Sequence, residues 1–233
     1  RVLIAVSGDI TPADLGKAMD QIFGALPATT GLNATVPPAP VSTKGQVIRV
    51  TKNLPQTVVY IGQKGILRSD PDWYVATVVD YIFGGGGFQS RLMDEVREKR
   101  GLAYGVSTAL VPYDAGALVF AQVGTRADQA DNSLKIIRDE WKKIHDAGPT
   151  EEELKTAKLY LTGAWPLRFT STQSIAEMLL AVQKDKLGVD YLDKRNSLIE
   201  AVTLDDARRL ARRLYDPDGL TVVMVGPAPK AVK

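Results

Sequence analysis

The sequence predicts an α+β domain: a mixed, largely antiparallel sheet with helices packed on one face. Three observations lead there. The runs that read as strands fall in neighbouring pairs, 47–50 with 57–62 and 104–110 with 117–123. The segments that read as helices follow one another without interruption from residue 127 to residue 215. A doubly wound parallel sheet alternates strand with helix, and this order does not. The composition agrees. Of 233 residues, 45% are apolar and 24% charged, the balance of a globular chain with enough length to bury a substantial core. It excludes a disordered tail, a collagen and a coiled-coil rod. Lys plus Arg number 29 against 27 Asp plus Glu, a net charge of +2, which leaves no electrostatic footprint for nucleic acid. No apolar run approaches the ~20 residues of a membrane span.

Val2-Leu3-Ile4-Ala5-Val6 ends at Ser7-Gly8-Asp9 and reads as a buried strand. Thr11-Pro12 supplies an N-cap and a first-turn proline for a helix to about Leu26, with Leu15, Ala18, Met19, Ile22 and Phe23 on one face. Residues 27–45 hold Pro27, Pro37, Pro38 and Pro40 without periodicity and read as a linker. The strands at 47–50 and 57–62 flank Asn53-Leu54-Pro55. Asp70-Pro71 opens a helix carrying Trp73, Val75, Ala76, Val78, Val79, Ile82 and Phe83, which the run Gly84-Gly85-Gly86-Gly87 stops. A helix over 89–99 ends at Gly101, a left-handed terminator. The runs 104–110 and 117–123 then form a hairpin through Pro112–Gly116. A helix over 127–146 follows, and Thr150-Glu151-Glu152-Glu153 is a capping box for the next. Helices over 171–187, 191–201 and 204–215 precede a last strand at 220–226, with Thr203 capping the third.

The first and last strands echo each other. Either two buried strands look alike, or the parent protein is duplicated, with residues 1–26 closing one half, 27–45 linking, and 46–233 forming the second domain. In the second case residues 1–26 pack apart from the main sheet. The chain begins at Arg1 without a methionine and reads as a fragment or a processed product.

The chain has no cysteine, so a disulfide framework, a thiolate nucleophile and a thiolate metal site are excluded. It has one histidine, His145, where a zinc enzyme uses two or three. No metal site is therefore expected within it. His145 lies near the end of a helix whose apolar face is Leu134, Ile137, Trp141 and Ile144, where a cation is favourable. Arg208, Arg209, Arg212 and Arg213, with Asp205 and Asp206 upstream, read as a solvated basic face. The run Gly84–Gly87 follows a helix rather than a strand and lacks the phosphate-loop lysine. It is either a tight corner between helices or a loop that lets a peptide backbone approach.

The most specific segment is Gly-Gly-Gly-Gly-Phe-Gln-Ser-Arg-Leu-Met-Asp-Glu-Val-Arg-Glu-Lys-Arg-Gly-Leu-Ala-Tyr-Gly-Val at 84–106. With Val-Ser-Gly-Asp-Ile-Thr-Pro at 6–12 and Gly-Pro-Thr-Glu-Glu-Glu-Leu at 148–154, it resembles the zinc-less C-terminal domain of the M16 (pitrilysin-type) zinc peptidases, among them mitochondrial processing peptidase and insulysin. The resemblance implies a LuxS/MPP-like metallohydrolase fold. It implies that the family's His-x-x-Glu-His motif, absent from this chain, lies in a missing half or a partner subunit, where the zinc is expected. This chain alone would then be inactive. Its partners would be that zinc-bearing half or subunit and an unfolded peptide, in a homo- or heterodimer at full length. The resemblance also implies that Arg97 and Tyr104, seven residues apart, are offered to the substrate, beside a substrate-binding wall of Gly84, Gly85, Gly86, Gly87 and Phe88. The spacing is compatible: Arg97 falls on a last helical turn and Tyr104 just past the reversal at Gly101. A guanidinium and a phenol can both donate to a peptide carbonyl or an oxyanion. From the residues alone, Arg97 could instead pair with Glu98 and Tyr104 could pack as a strand aromatic. A rival role is a non-catalytic assembly subunit that keeps the fold.

Overall fold

The computed structural model describes residues 2–27, 36–40 and 44–228. Most of the expected linker, 28–35 and 41–43, lies outside the described residues. The helices are α1 (Pro12–Phe23), α2 (Trp73–Asp80), α3 (Ala130–Ala147), α4 (Glu151–Gly163), α5 (Thr172–Lys184), α6 (Tyr191–Glu200) and α7 (Leu204–Leu214). The strands are β1 (Gln46–Thr51), β2 (Thr57–Lys64), β3 (Ala103–Tyr113), β4 (Gly116–Thr125) and β5 (Thr221–Gly226). The chain divides into two units, one of residues 1–37 with 164–192 and one of residues 38–163 with 193–233.

The larger unit holds one sheet in the order β1-β5-β2-β4-β3. β1 runs parallel to β5, and every other pair is antiparallel, so the sheet is mixed and largely antiparallel as predicted; the pair 104–110 with 117–123 forms, but β5 lies between β1 and β2, so 47–50 and 57–62 do not pair with each other. Strand alternation sorts the faces. Val59 and Ile61 of β2 and Val119, Ala121 and Val123 of β4 are buried beneath the helices, whereas Tyr60 and Phe120 stack on the opposite face with ring centres 5.7 Å apart. Val78 and Val79 of α2, Ile137 and Ile144 of α3, and Leu210 of α7 close the core. Each such side chain contributes ~1.5–3 kcal/mol on burial. α7 is capped by Thr203, whose hydroxyl accepts from Asp206 N at 3.1 Å. Of its basic residues, Arg209 reaches Asp72 through two bonds of 2.8 and 2.7 Å, and Arg213 reaches Asp70 at 2.6 Å. These two therefore tie the loop before α2 instead of facing only solvent.

At the centre Phe83 meets Trp141 edge-on at 5.0 Å and Tyr215 at 5.0 Å. Each polar tip in this cluster has a partner, as burial requires. Trp141 Nε1 donates to Gln63 Oε1 at 3.1 Å, and Gln63 donates to the Leu214 carbonyl. Tyr215 OH and Thr108 Oγ1 both donate to Asp80 Oδ1, at 3.3 and 2.7 Å.

Burial pushes the Asp80 carboxyl up from 3.8 to about 6, against the pull of the Thr108 and Tyr215 hydrogen bonds. The folded chain then keeps this proton up to about pH 6, while the unfolded chain releases it near 3.8. Between those values the folded state binds more protons, so stability falls as pH rises through the window. Asp80→Asn is expected to remove that decline and to be more stable than the parent above pH 6, by at most about 3 kcal/mol at ~1.4 kcal/mol per unit. Denaturation midpoints from pH 4 to 8 check this; an undiminished decline in the variant would count against it.

The smaller unit is built from helices. Thr11 caps α1, accepting from Asp14 N at 3.2 Å, with Pro12 at the first position. Ser171 and Ser174 form a reciprocal cap on α5. The strand expected at 2–6 does not form. Those residues join no ladder, and Val2 and Leu3 are 57% and 48% exposed. A strand needs an edge to satisfy its N–H and C=O groups, and the helices of this unit offer none. α1 also ends at Phe23, three residues short of the expected Leu26, where the chain turns at Gly24.

Candidate functional site

The expected helices around the glycine run are not regular. α2 passes into a π-helical turn, Tyr81–Gly85, then a 3₁₀ turn, Gly87–Gln89. The segment expected as a helix over 89–99 is mostly a second π-helical turn, Met93–Glu98. Such turns are uncommon and re-aim side chains out of the 3.6-residue period. The run therefore does not stop a helix; it joins two widened ones.

Two glycines have specific causes. A Cβ on Gly84 would lie 2.6 Å from Thr108 Oγ1 and 2.9 Å from its backbone nitrogen, so this residue must be bare for the π turn to seat on β3. Gly84 is consequently buried and does not belong to an accessible wall; of the expected set, Gly85, Gly87 and Phe88 are exposed and Gly86 half-buried. Gly87 has φ of +59°, which favours glycine. Ser90, fully buried, donates to the Gly87 carbonyl at 2.7 Å. Arg91 is locked by Glu153 at 2.6 Å and the Gly148 carbonyl at 3.0 Å. Glu153 closes the capping box of α4 by accepting from Thr150 N at 2.7 Å.

Past Gly101, with φ of +60°, β3 is irregular between Ala103 and Val106. Val106 N donates to Met93 Sδ at 3.4 Å. A bulge of this kind turns a side chain away from its regular face, and Tyr104 is 87% exposed. It is not a packed strand aromatic.

Arg97 comes back to this rim from the second π turn. Its guanidinium carbon lies 4.5 Å from the centre of the Phe88 ring and 5.0 Å from that of Tyr104. Its Nε forms an ion pair with Glu98 Oε1 at 3.6 Å, the pairing the residues alone allowed, at a distance too long for a hydrogen bond. Its Nη1 is buried with no hydrogen-bond partner. Both rings lie within cation–π distance, and a ring accepts none of the in-plane hydrogen bonds of a guanidinium. Arg97, Tyr104 and Phe88 are thus brought together. Stacking of Phe88 on Arg97 had no periodic signal in the sequence; only the residue types, an aromatic beside a glycine turn and a downstream arginine, hinted at it.

His145 stands at the end of α3 with Nδ1 2.8 Å from Asp146 Oδ1. Among the described residues no three His, Cys, Asp or Glu side chains are placed to hold a metal, and no helix is long and apolar enough to cross a membrane.

The family model described as "Peptidase M16 inactive domain" matches residues 1–161. The chain is 30% identical over 222 residues to an uncharacterized zinc protease of Streptomyces coelicolor, covering 91% of this chain and 47% of that protein. It is 26% identical over 241 residues to the mitochondrial-processing peptidase subunit beta of Blastocladiella emersonii, covering 97% and 50%. A crystal structure of a peptidase M16 inactive domain from Pseudomonas fluorescens superposes with a TM-score of 0.81 at 31% identity, covering 95% of this chain and 52% of that one. The chain spans about half the length of the curated relatives it matches.

Proposed function

Because this chain belongs to the peptidase M16 family, through the inactive domain that residues 1–161 match, we propose that it is the zinc-less half of a metallopeptidase. It closes over an unfolded peptide and presents Arg97 and Tyr104 to that peptide. One observation carries the reading: a guanidinium within cation–π distance of two aromatic rings at an accessible rim, with a buried Nη1 that has no acceptor. A buried donor without a partner costs ~1–3 kcal/mol, and a peptide carbonyl arriving at the rim relieves that cost. The exposed turn at Gly85 and Gly87 lets an extended backbone approach closely.

The donors present do not fit a zinc ion. The chain has one histidine and no cysteine, against the three protein ligands of a catalytic site, and His145 is beside Asp146. The metal therefore belongs to a preceding half or a partner subunit, and the working protein is a homo- or heterodimer of such halves. The exposed apolar run Val2–Val6 supports reading residues 1–26 as a closing strand and helix of that preceding half, which gains its strand when an edge is supplied, with 46–233 as the second domain, although the family match itself runs over 1–161.

After dialysis the 233-residue chain is expected to hold no stoichiometric zinc and to cleave no peptide, and addition of the zinc-bearing half to restore hydrolysis. One tightly held zinc in the lone chain would overturn the division of labour. A zinc-loaded pair that assembles yet hydrolyses nothing would leave this chain the assembly role instead.

A further inference from the structure

We propose that Phe88 is a positioning residue: its ring fixes the Arg97 guanidinium in the orientation in which that group meets the substrate, and it is not itself a wall of the peptide site. The proposal rests on the reading of Arg97 above.

Two arginines in this segment are immobilised in different ways. Arg91 is forked by the carboxylate of Glu153, which neutralises it and consumes its donors. Arg97 has no such fork; its ion pair with Glu98 is long, at 3.6 Å, and two rings lie within cation–π distance of it, Phe88 at 4.5 Å and Tyr104 at 5.0 Å. Rings attract a cation through their faces and accept none of its in-plane hydrogen bonds. A stacked arginine is therefore held in place without a forked carboxylate consuming its donors, and Arg97 Nη1 is left without an acceptor.

Phe88 is an unusual residue for a packing role, since it is 67% exposed. Its place is nonetheless well determined. The left-handed turn at Gly87 and the Ser90 hydroxyl on the Gly87 carbonyl set its backbone, and Gly84 seats the preceding turn against Thr108. The glycine run thus has a second consequence besides admitting a peptide: it carries an aromatic ring to 4.5 Å from the guanidinium of Arg97. Of the two rings, Tyr104 offers a phenol to the substrate, while Phe88 has only its π face to give.

The test separates aromatic character from bulk. Phe88→Leu, Phe88→Tyr and Arg97→Ala are made in the chain combined with its zinc-bearing half, and kcat and KM are measured. Phe88→Leu keeps an apolar side chain without a ring and is expected to lower kcat roughly tenfold, the scale of one partly desolvated cation–π contact, with KM within about twofold. Phe88→Tyr keeps the ring and stays within about twofold of the parent. In the 233-residue chain, NMR is expected to show ring-shifted side-chain protons of Arg97 that move toward unshifted positions in Phe88→Leu only. Wild-type kcat in Phe88→Leu beside an impaired Arg97→Ala would overturn the proposal and leave the reading of Arg97 intact. So would equal losses in the Leu and Tyr variants, or a loss confined to KM, both marks of direct substrate contact. Wild-type turnover in Arg97→Ala would remove the reading of Arg97, and the proposal with it.

Discussion

In the zinc-competent protein, Arg97→Ala is expected to lower peptide turnover by ~10²-fold or more, the scale for losing one donor that stabilises developing charge. Tyr104→Phe, which removes a hydroxyl and keeps the ring, tests the second donor on the same scale. Neither change is expected to cost much stability. Tyr104 is 87% exposed. Arg97 makes no hydrogen bond that fixes it, its carboxylate neighbour being 3.6 Å away, so the folded state loses mainly two ring contacts of ~0.5–1 kcal/mol each. The variant also eliminates a buried Nη1 without a partner, which offsets part of that loss. Activity and unfolding midpoint must therefore be measured together. Full activity in both variants would remove the assignment; a loss of activity matched by a collapse in stability would place both residues in the fold.

What the sequence made legible depended on how local each cause is. The hairpin of β3 and β4 follows from two apolar runs around a turn, and the caps of α1, α4 and α7 from hydroxyl residues set before their first turns. The nearness of Arg97 and Tyr104 was also legible, because only a last turn and the reversal at Gly101 separate them. The π turns were not, since widening a helix leaves no mark in a 3.6-residue pattern. Nor was the pairing of Arg209 and Arg213 with Asp72 and Asp70, whose partners lie over a hundred positions away in sequence. The run Val2–Val6 misled for a different reason: β-propensity describes a side chain that suits a half-buried sheet, and does not supply the neighbouring strand.

The largest effect on the fold is expected at Phe83. Its side chain is fully buried, and its ring edges rest on Trp141 at 89° and Tyr215 at 70°, both with centres 5.0 Å away. Phe83→Ala removes one of three rings that contact one another and leaves a cavity that rigid neighbours can only partly fill, at a cost of ~3–5 kcal/mol. About 0.5–1.5 kcal/mol of that belongs to each aromatic contact beyond the area it buries. Phe83→Leu fills much of the volume but restores neither edge contact, and an intermediate cost of about 1–2 kcal/mol is expected. The measurement is the denaturant midpoint at unchanged slope, which separates lost stability from an altered unfolded state. The consequence reaches the rim by the shortest route available. Phe83 sits inside the first π turn, directly before Gly84, and anchors it from below while Thr108 limits it from β3. A midpoint for Phe83→Ala within about 1 kcal/mol of the parent, small against the usual cost of such a truncation, would show that the trio does not brace this turn. The position of Phe88 over Arg97 would then have to be held by Ser90 and the Arg91–Glu153 pair alone.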